Sequence, residues 1–464
     1  MRARLLGLCW LAVAGCGSET PQQTGGSSEL PAGVKLALGN PAGRGAADAA
    51  HSSLSQEQQQ AVEQLIANAR LSVEGGEVPQ AIEALSQAIA INPSDTRLFR
   101  MRADVYAIAG ELANAQADFS SAILTDPENA ELHNIRGYFL MTHGVNTDAI
   151  ADFTTAIELD PSLTAAWNNR GLVYLHQGEY EKSVKQFHAA VDCDSEYVDG
   201  WNNLGFAYMK LGSLDKALPK IDRALTLNPD YIAGWNNRGL ILLEAKDYEA
   251  ACTAFSKAIE LADLDPRWYS HRQFALQKLG RFDDAAADQQ TIVWIGRVTE
   301  LTQNLNRDKQ DTARWIARGD CLADGERFDA AISDYTNALK LEPDNVDALN
   351  ARAGVYAATG ELKKAMDDCE VSIMKEPTFE ALSIRGDAWL AMDNLDQAIQ
   401  DFEAAQRLDE SVADAYRRRA KYHSSRGNKD AAEEDLRAAQ RVEDALAGRL
   451  AYENTEPIPF PDTE

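Results

Sequence analysis

The chain has little with which to do covalent chemistry. Its 464 residues include seven histidines, and no two stand three or four positions apart, the spacing that puts two ligands on one helix face. It carries no Gly-x-Ser-x-Gly elbow, no Walker-type phosphate loop and no His-Glu-x-x-His. Six cysteines are too few for a disulfide-dense scaffold. Cys193, Cys252, Cys321 and Cys369 form no Cys-x-x-Cys and read as small apolar side chains. No internal apolar run approaches the roughly 18 residues needed to cross a bilayer, and mean hydropathy is −0.36. Positive charge is scarce as well: 45 Lys and Arg stand against 72 Asp and Glu, a net −27. A surface of that sign repels phosphate backbones, which argues against nucleic acid, and suits a basic partner. No Asp-x-Asp-x-Asp-Gly loop supports a calcium site. The expectation is therefore a binding protein, with no enzyme activity, no metal and no cofactor.

What is present begins with an address. Arg2 and Arg4 precede an apolar stretch over residues 5–14, the length of a signal peptide and too short to span a membrane. Val13-Ala14-Gly15-Cys16 resembles the lipobox of bacterial lipoproteins, which implies a signal peptide at 1–15 and a diacylglycerol on the Cys16 thiol. Two other readings stand beside it. Ala12-Val13-Ala14 also fits an ordinary signal-peptidase site, which would release a soluble secreted or periplasmic protein, and Cys16 can be an incidental leader residue. Residues 16–53 hold Pro21, Gly25-Gly26-Ser27-Ser28, Pro31 and Pro41 without any period, the composition of a flexible tether. Gly17, where Asp would resemble an inner-membrane retention signal, favours the outer membrane, facing the periplasm.

Length divided by about 150 suggests three domains, but a repeat overrides that division. Trp167-Asn168-Asn169-Arg170-Gly171, Trp201-Asn202-Asn203-Leu204-Gly205 and Trp235-Asn236-Asn237-Arg238-Gly239 are 34 residues apart. Pro93, Pro127, Pro161 and Pro229 keep the same step, as do Gly76, Gly110, Gly144, Gly178, Gly212 and Gly280. The pattern resembles the tetratricopeptide repeat (TPR). In the unit starting at Thr164 its positions hold Trp167, Gly171, Tyr174, Ser183, Phe187, Ala190 and Ser195, with Ser183 and Ser195 departing from the family's Ala and Pro. The unit starting at Ala130 has Ala149, Phe153, Ala156 and Pro161. Units start at Val62, Thr96, Ala130, Thr164, Val198, Ile232, Pro266, Thr312, Val346, Phe379 and Ala413. The resemblance implies an all-α, right-handed superhelical solenoid of about eleven helical hairpins, since one hairpin cannot bury its own apolar stripe.

Twelve extra residues, 300–311, interrupt the period between the seventh and eighth units and read as a helical extension or linker. Units one to seven then occupy 54–299 and units eight to eleven 312–446, and 447–464 is a capping helix with a disordered, proline-containing tail. Ser55 with Gln58 makes a capping box at the first helix. Seven units pair an Arg with an Asp 16 residues later: Arg102/Asp118, Arg136/Asp152, Arg272/Asp288, Arg318/Asp334, Arg352/Asp368, Arg385/Asp401 and Arg419/Asp435. That spacing places them on facing helices, as surface salt bridges of under about 1 kcal/mol each.

In TPR folds the first helix of each hairpin lines a concave groove. Counted from each unit's start, place six holds Asn169, Asn203 and Asn237; place nine holds Leu172, Phe206, Leu240 and Phe274; place twelve holds Leu175, Met209 and Leu243. Carboxamides beside Leu, Met and Phe suit an extended peptide, although the same residues could simply pack one repeat on the next. The Asn row resembles the asparagine ladder in the TPR superhelix of O-GlcNAc transferase, whose catalytic domain has no counterpart here. The Lys and Asn of chaperone-tail clamps are missing from places five and nine. The resemblance implies a membrane-anchored interaction scaffold for other envelope proteins, in pilus, secretion or outer-membrane assembly. The alternative is a non-catalytic regulatory or substrate-presenting subunit of an envelope enzyme, a cell-wall transferase or protease. Oligomeric state is left open.

Overall fold

The computed structural model describes residues 54–453, with side chains to 448. The signal peptide, Cys16, the tether and the tail from 454 lie outside the described residues. Among the described residues the regular structure is helical throughout, twenty-two helices in eleven hairpins, and none is long and apolar enough to cross a membrane. The described residues fall into two compact units, the first ending at Asp288 and the second beginning at Gln289.

The first unit contains the hairpins α1/α2 (Gln56–Glu74, Val78–Ile91), α3/α4 (Thr96–Ile108, Leu112–Thr125) and α5/α6 (Ala130–Thr142, Asn146–Leu159). These are followed by α7/α8 (Thr164–His176, Tyr180–Cys193), α9/α10 (Val198–Lys210, Leu214–Leu227) and α11/α12 (Ile232–Glu244, Tyr248–Leu261). It ends with α13 (Pro266–Lys278) and the beginning of α14 (Phe282–Arg307). Ser55 opens the series with the expected capping box: its Oγ accepts the Gln58 N–H at 3.2 Å, and Gln58 Oε1 accepts the Ser55 N–H at 3.0 Å.

Within a hairpin the two helices close on a glycine. A Cβ on Gly137, Gly171 or Gly239 would stand 2.8, 2.7 or 2.4 Å from Cε1 of Phe153, Phe187 or Phe255. The aromatic ring therefore lies in the space the missing side chain leaves, and all three rings are fully buried. The turn between the helices needs a positive φ, which Gly178 adopts at 76° and which Lys246 is forced to adopt at 62° in the sixth hairpin. Between hairpins the indole N–H of Trp167, Trp201 and Trp235 donates to the carbonyl of Pro161, Ser195 and Pro229, at 2.9, 3.0 and 2.7 Å. The tryptophan thus clasps the loop before its own helix.

The Arg–Asp pairs are latches rather than exposed ion pairs. All seven carboxylates are buried, and each accepts Nε–H and Nη2–H of its arginine at 2.6–3.0 Å. Nη1 of Arg102, Arg136 and Arg272 donates in addition to Ser86, Ser120 and Ser256, 16 residues earlier on the preceding second helix. One guanidinium so fastens three helices, and the estimate for solvent-exposed pairs is too low. The carboxylate falls in the seam where two hairpins stack, a place that pairwise spacing does not reveal.

The second unit takes the rest of α14, then α15/α16 (Thr312–Asp324, Phe328–Leu341), α17/α18 (Val346–Ala358, Leu362–Lys375), α19/α20 (Phe379–Ala391, Leu395–Ala404) and α21/α22 (Glu410–Ser425, Lys429–Glu453). The α14 extension packs on α15/α16 as a preceding second helix would. Trp294 donates its indole N–H to Cys321 O at 2.7 Å, and its ring occupies the space a Cβ on Gly325 would need. Arg318 Nη1 reaches Thr302 Oγ1 at 3.4 Å, again 16 residues back. At the other end Leu446 of α22 packs on the cluster of Ile399, Phe402 and Val442.

Candidate protein-binding face

In the first unit, first helices approach the first helices of the neighbouring hairpins, α5 with α7, α7 with α9, α9 with α11 and α11 with α13. That crowded side is the inner side of the stack. The hairpins in its middle lack the regular latch: Arg170 meets Gln186 in place of Asp, Leu204 replaces the arginine, and Arg238 turns back to Asp222 at 2.9 Å.

An amide chain takes over there. Asn237 Nδ2–H donates to Asn202 Oδ1 at 2.9 Å, Asn202 to Asn203 Oδ1 at 3.4 Å, and Asn203 to Asn168 Oδ1 at 2.9 Å. Asn169 donates to Asn134 Oδ1 at 3.1 Å, and His271 Nδ1 lies 3.2 Å from Asn236 Oδ1. Asn236 Nδ2–H donates to Asn237 Oδ1 at 3.5 Å, so a chain of amides that polarise one another runs from Asn168 in the fourth hairpin to His271 in the seventh, while the Asn169–Asn134 bond ties the third hairpin to the fourth by itself. Burial holds the His271 imidazole below the usual histidine range, with Arg267 acting the same way and Asp265 against. The acceptors Asn134, Asn168, Asn202 and Asn236 stand at place five, one position from the row the sequence singled out; the doublet Asn-Asn was the available signal.

The residues named from sequence separate by exposure. Asn237 is fully buried and Met209 is buried, so neither presents surface to a ligand. Asn169 and Asn203 are half-buried, and each amide keeps a second N–H beyond its inter-hairpin bond. Leu172, Leu175, Phe206, Leu240 and Leu243 are half-buried, and Phe274 is 47% exposed. Tyr138, one period before Leu172 and 38% exposed, extends the place-nine row, which the lattice alone could have predicted. Tyr138, Leu172, Phe206, Leu240 and Phe274 then form an apolar row across five successive first helices. Lys210 lies over the Phe206 ring and Lys278 over the Phe274 ring, each 5.1 Å from the centroid, which places a cation beside each of two anchors.

Stacked helical hairpins latched by Arg and Asn, with an accessible row on the inner side, define a solenoid interaction protein. The chain belongs to the tetratricopeptide repeat family. Models described as tetratricopeptide repeat match residues 66–130, 109–163, 153–185, 198–231, 232–265 and 316–376, and one described as TPR repeat matches 173–212, together more than half of the sequence. Hsp70-Hsp90 organizing protein 1 of Glycine max is 23% identical over 226 residues, 35% of this chain and 39% of that protein. Outer dynein arm-docking complex subunit 4 of Mus musculus is 39% identical over 64 residues, 12% of this chain and 10% of that one. The chain thus spans well under half the length of these relatives. Among solved structures, PilW, a widely conserved type IV pilus biogenesis factor, matches 48% of this chain and all of its own at 18% identity and TM-score 0.40. YrrB, a TPR protein with an unusual peptide-binding site, matches 50% of this chain and 97% of its own at 21% identity and TM-score 0.29.

Proposed function

We propose that this protein–protein interaction scaffold holds an extended segment of another envelope protein along the inner side of α5, α7, α9, α11 and α13. The observation that carries this is the place-nine row, five apolar side chains at one register whose ends, Tyr138 and Phe274, are open to solvent. Leu172, Phe206 and Leu240 pack one side on the cores of their hairpins, and the apolar surface that the row leaves accessible at a fixed step suits a ligand with apolar side chains at a matching step. Asn169 and Asn203 supply N–H donors for the ligand backbone. The leader sequence supports anchoring through a lipid on Cys16 at the outer membrane, with residues 16–53 as the spacer.

The test replaces Phe206 and Phe274 by Ala in the full-length protein and compares partners recovered from the envelope by cross-linking. Loss of partners with helicity retained supports the groove; unchanged recovery sinks it. Asn→Ala changes are poorer probes, because they also cut the inter-hairpin chain. Cys16→Ser is expected to move the protein from membrane to soluble fraction, and retention of the variant at the membrane would refute the anchor.

A further inference from the structure

The fifth hairpin inverts the charge of the latch. Where seven other hairpins set a buried Asp at place 23, α10 sets Lys220. Where the preceding second helix offers Ser or Thr to the guanidinium, α8 offers His188, and the guanidinium itself is replaced by Leu204. Lys216, Lys220 and Arg223 are spaced to share one face of α10, and none of the three forms an ion pair among the described residues. The ammonium of Lys220 lies 5.2 Å from the centroid of Trp201, and that of Lys216 lies 5.9 Å from Tyr208. Tyr208 is also tied to His188, its hydroxyl 2.9 Å from Nε2. Burial and the charge of Lys220 both lower the His188 pKa, with Asp192 opposing. The nearby carboxylate of Asp222 is already engaged by Arg238.

From this arrangement we infer that His188, Lys216, Lys220 and Arg223 form a docking surface for an acidic, Asp- or Glu-bearing segment of a partner protein. It lies on the second helices, away from the inner apolar row, and is independent of the groove. No carboxylate of the chain pairs with these cations among the described residues; Lys216 and Lys220 repel each other one turn apart, and the contacts with Tyr208 and Trp201 leave their charge unneutralised. The two rings hold both ammoniums in place before a ligand arrives, which lowers the ordering cost of forming ion pairs. The sign of the whole chain selects the class of partner. At −27 it repels a long polyanion or an anionic bilayer over an extended front. A short acidic segment meets only the local patch, because charges beyond about 8 Å are screened at physiological ionic strength.

The experiment is fluorescence anisotropy of a labelled oligoglutamate peptide titrated with the full-length protein at low and physiological salt. The wild type is expected to bind, more weakly as salt rises, and K216E/K220E/R223E to bind about tenfold more weakly or worse. The groove variant F206A/F274A is expected to bind the peptide as the wild type does. Circular dichroism checks the fold of the charge-reversed protein, and K216Q/K220Q/R223Q replaces it if helicity is lost. The inference is overturned if the wild type does not bind oligoglutamate, or if the charge variant binds it equally. Tighter binding to an oligonucleotide or to phosphatidylserine vesicles than to the peptide also overturns it.

Discussion

Removing Arg136 tests whether the latches, rather than apolar stacking alone, hold the hairpins together. The Asp152 side chain is only 7% exposed and accepts from Arg136 Nε–H at 2.8 Å and Nη2–H at 2.7 Å, while Nη1–H donates to Ser120 Oγ at 3.1 Å. Arg136→Ala leaves that carboxylate buried with only His133 Nδ1, 3.6 Å from Oδ1, facing it, and frees Ser120 as well. Breaking a buried pair from one side costs about 3–5 kcal/mol; since the guanidinium is itself 23% exposed, we expect about 2–3 kcal/mol. Arg238→Ala is the control, because Asp222 is 47% exposed and the pair makes one bond at 2.9 Å, so under about 1 kcal/mol is expected. Urea unfolding should be combined with amide exchange in α5 and α6, because a solenoid opens in segments and one global midpoint averages them. Equal losses in the two variants would refute the reasoning. In Arg136→Met/Asp152→Leu most of the loss should return, since no buried charge is left unpaired.

Other consequences follow from single positions. Lys246→Gly should raise stability by about 0.5 kcal/mol, because a left-handed φ of 62° costs a lysine about 1–2 kcal/mol, offset in part by the greater unfolded freedom of glycine; a lower melting temperature would contradict this. Gly239→Ala sets a Cβ 2.4 Å from the buried Phe255 ring and should cost about 1–3 kcal/mol. Gly354→Ala meets only Ile384 Cδ1 at 3.8 Å and should be neutral or stabilising in the same thermal melt. Asp104 Oδ2 has no hydrogen-bond partner among the described residues, with Arg100 Nε 4.0 Å away, and burial pushes the Asp104 pKa up to about 6 while Arg100 pulls the other way. The folded chain then holds a proton the unfolded chain has released, so stability should fall as pH rises from the ordinary carboxylate range through about 6. Asp104→Asn should flatten that slope, and an unchanged profile in urea titrations would dismiss it.

Much of the fold was legible because the period is written in residues whose roles are steric. Gly239 and Phe255 announce each other: without a small residue on one helix the ring on the next has no space. The helix starts at Thr164, Val198 and Ile232 follow directly from the same lattice. The candidate face was less legible. Asn237 and Asn203 occupy one register in the sequence, yet Asn237 is fully buried and Asn203 half-buried, because exposure depends on how tightly neighbouring first helices approach. The Arg–Asp spacing gave the partners, but not the depth at which they meet or the hydroxyl on a third helix.

The sequence by itself determined the unit: two helices, a turn set by a residue with positive φ, and a glycine–aromatic contact, all local consequences of residues within 34 positions of one another. Tertiary structure decided what the stacking seam does to each repeated residue. There the same lattice position becomes a buried carboxylate in one hairpin and a lysine stacked on tryptophan in another, because burial and charge pairing depend on three helices at once, and no single unit contains all three.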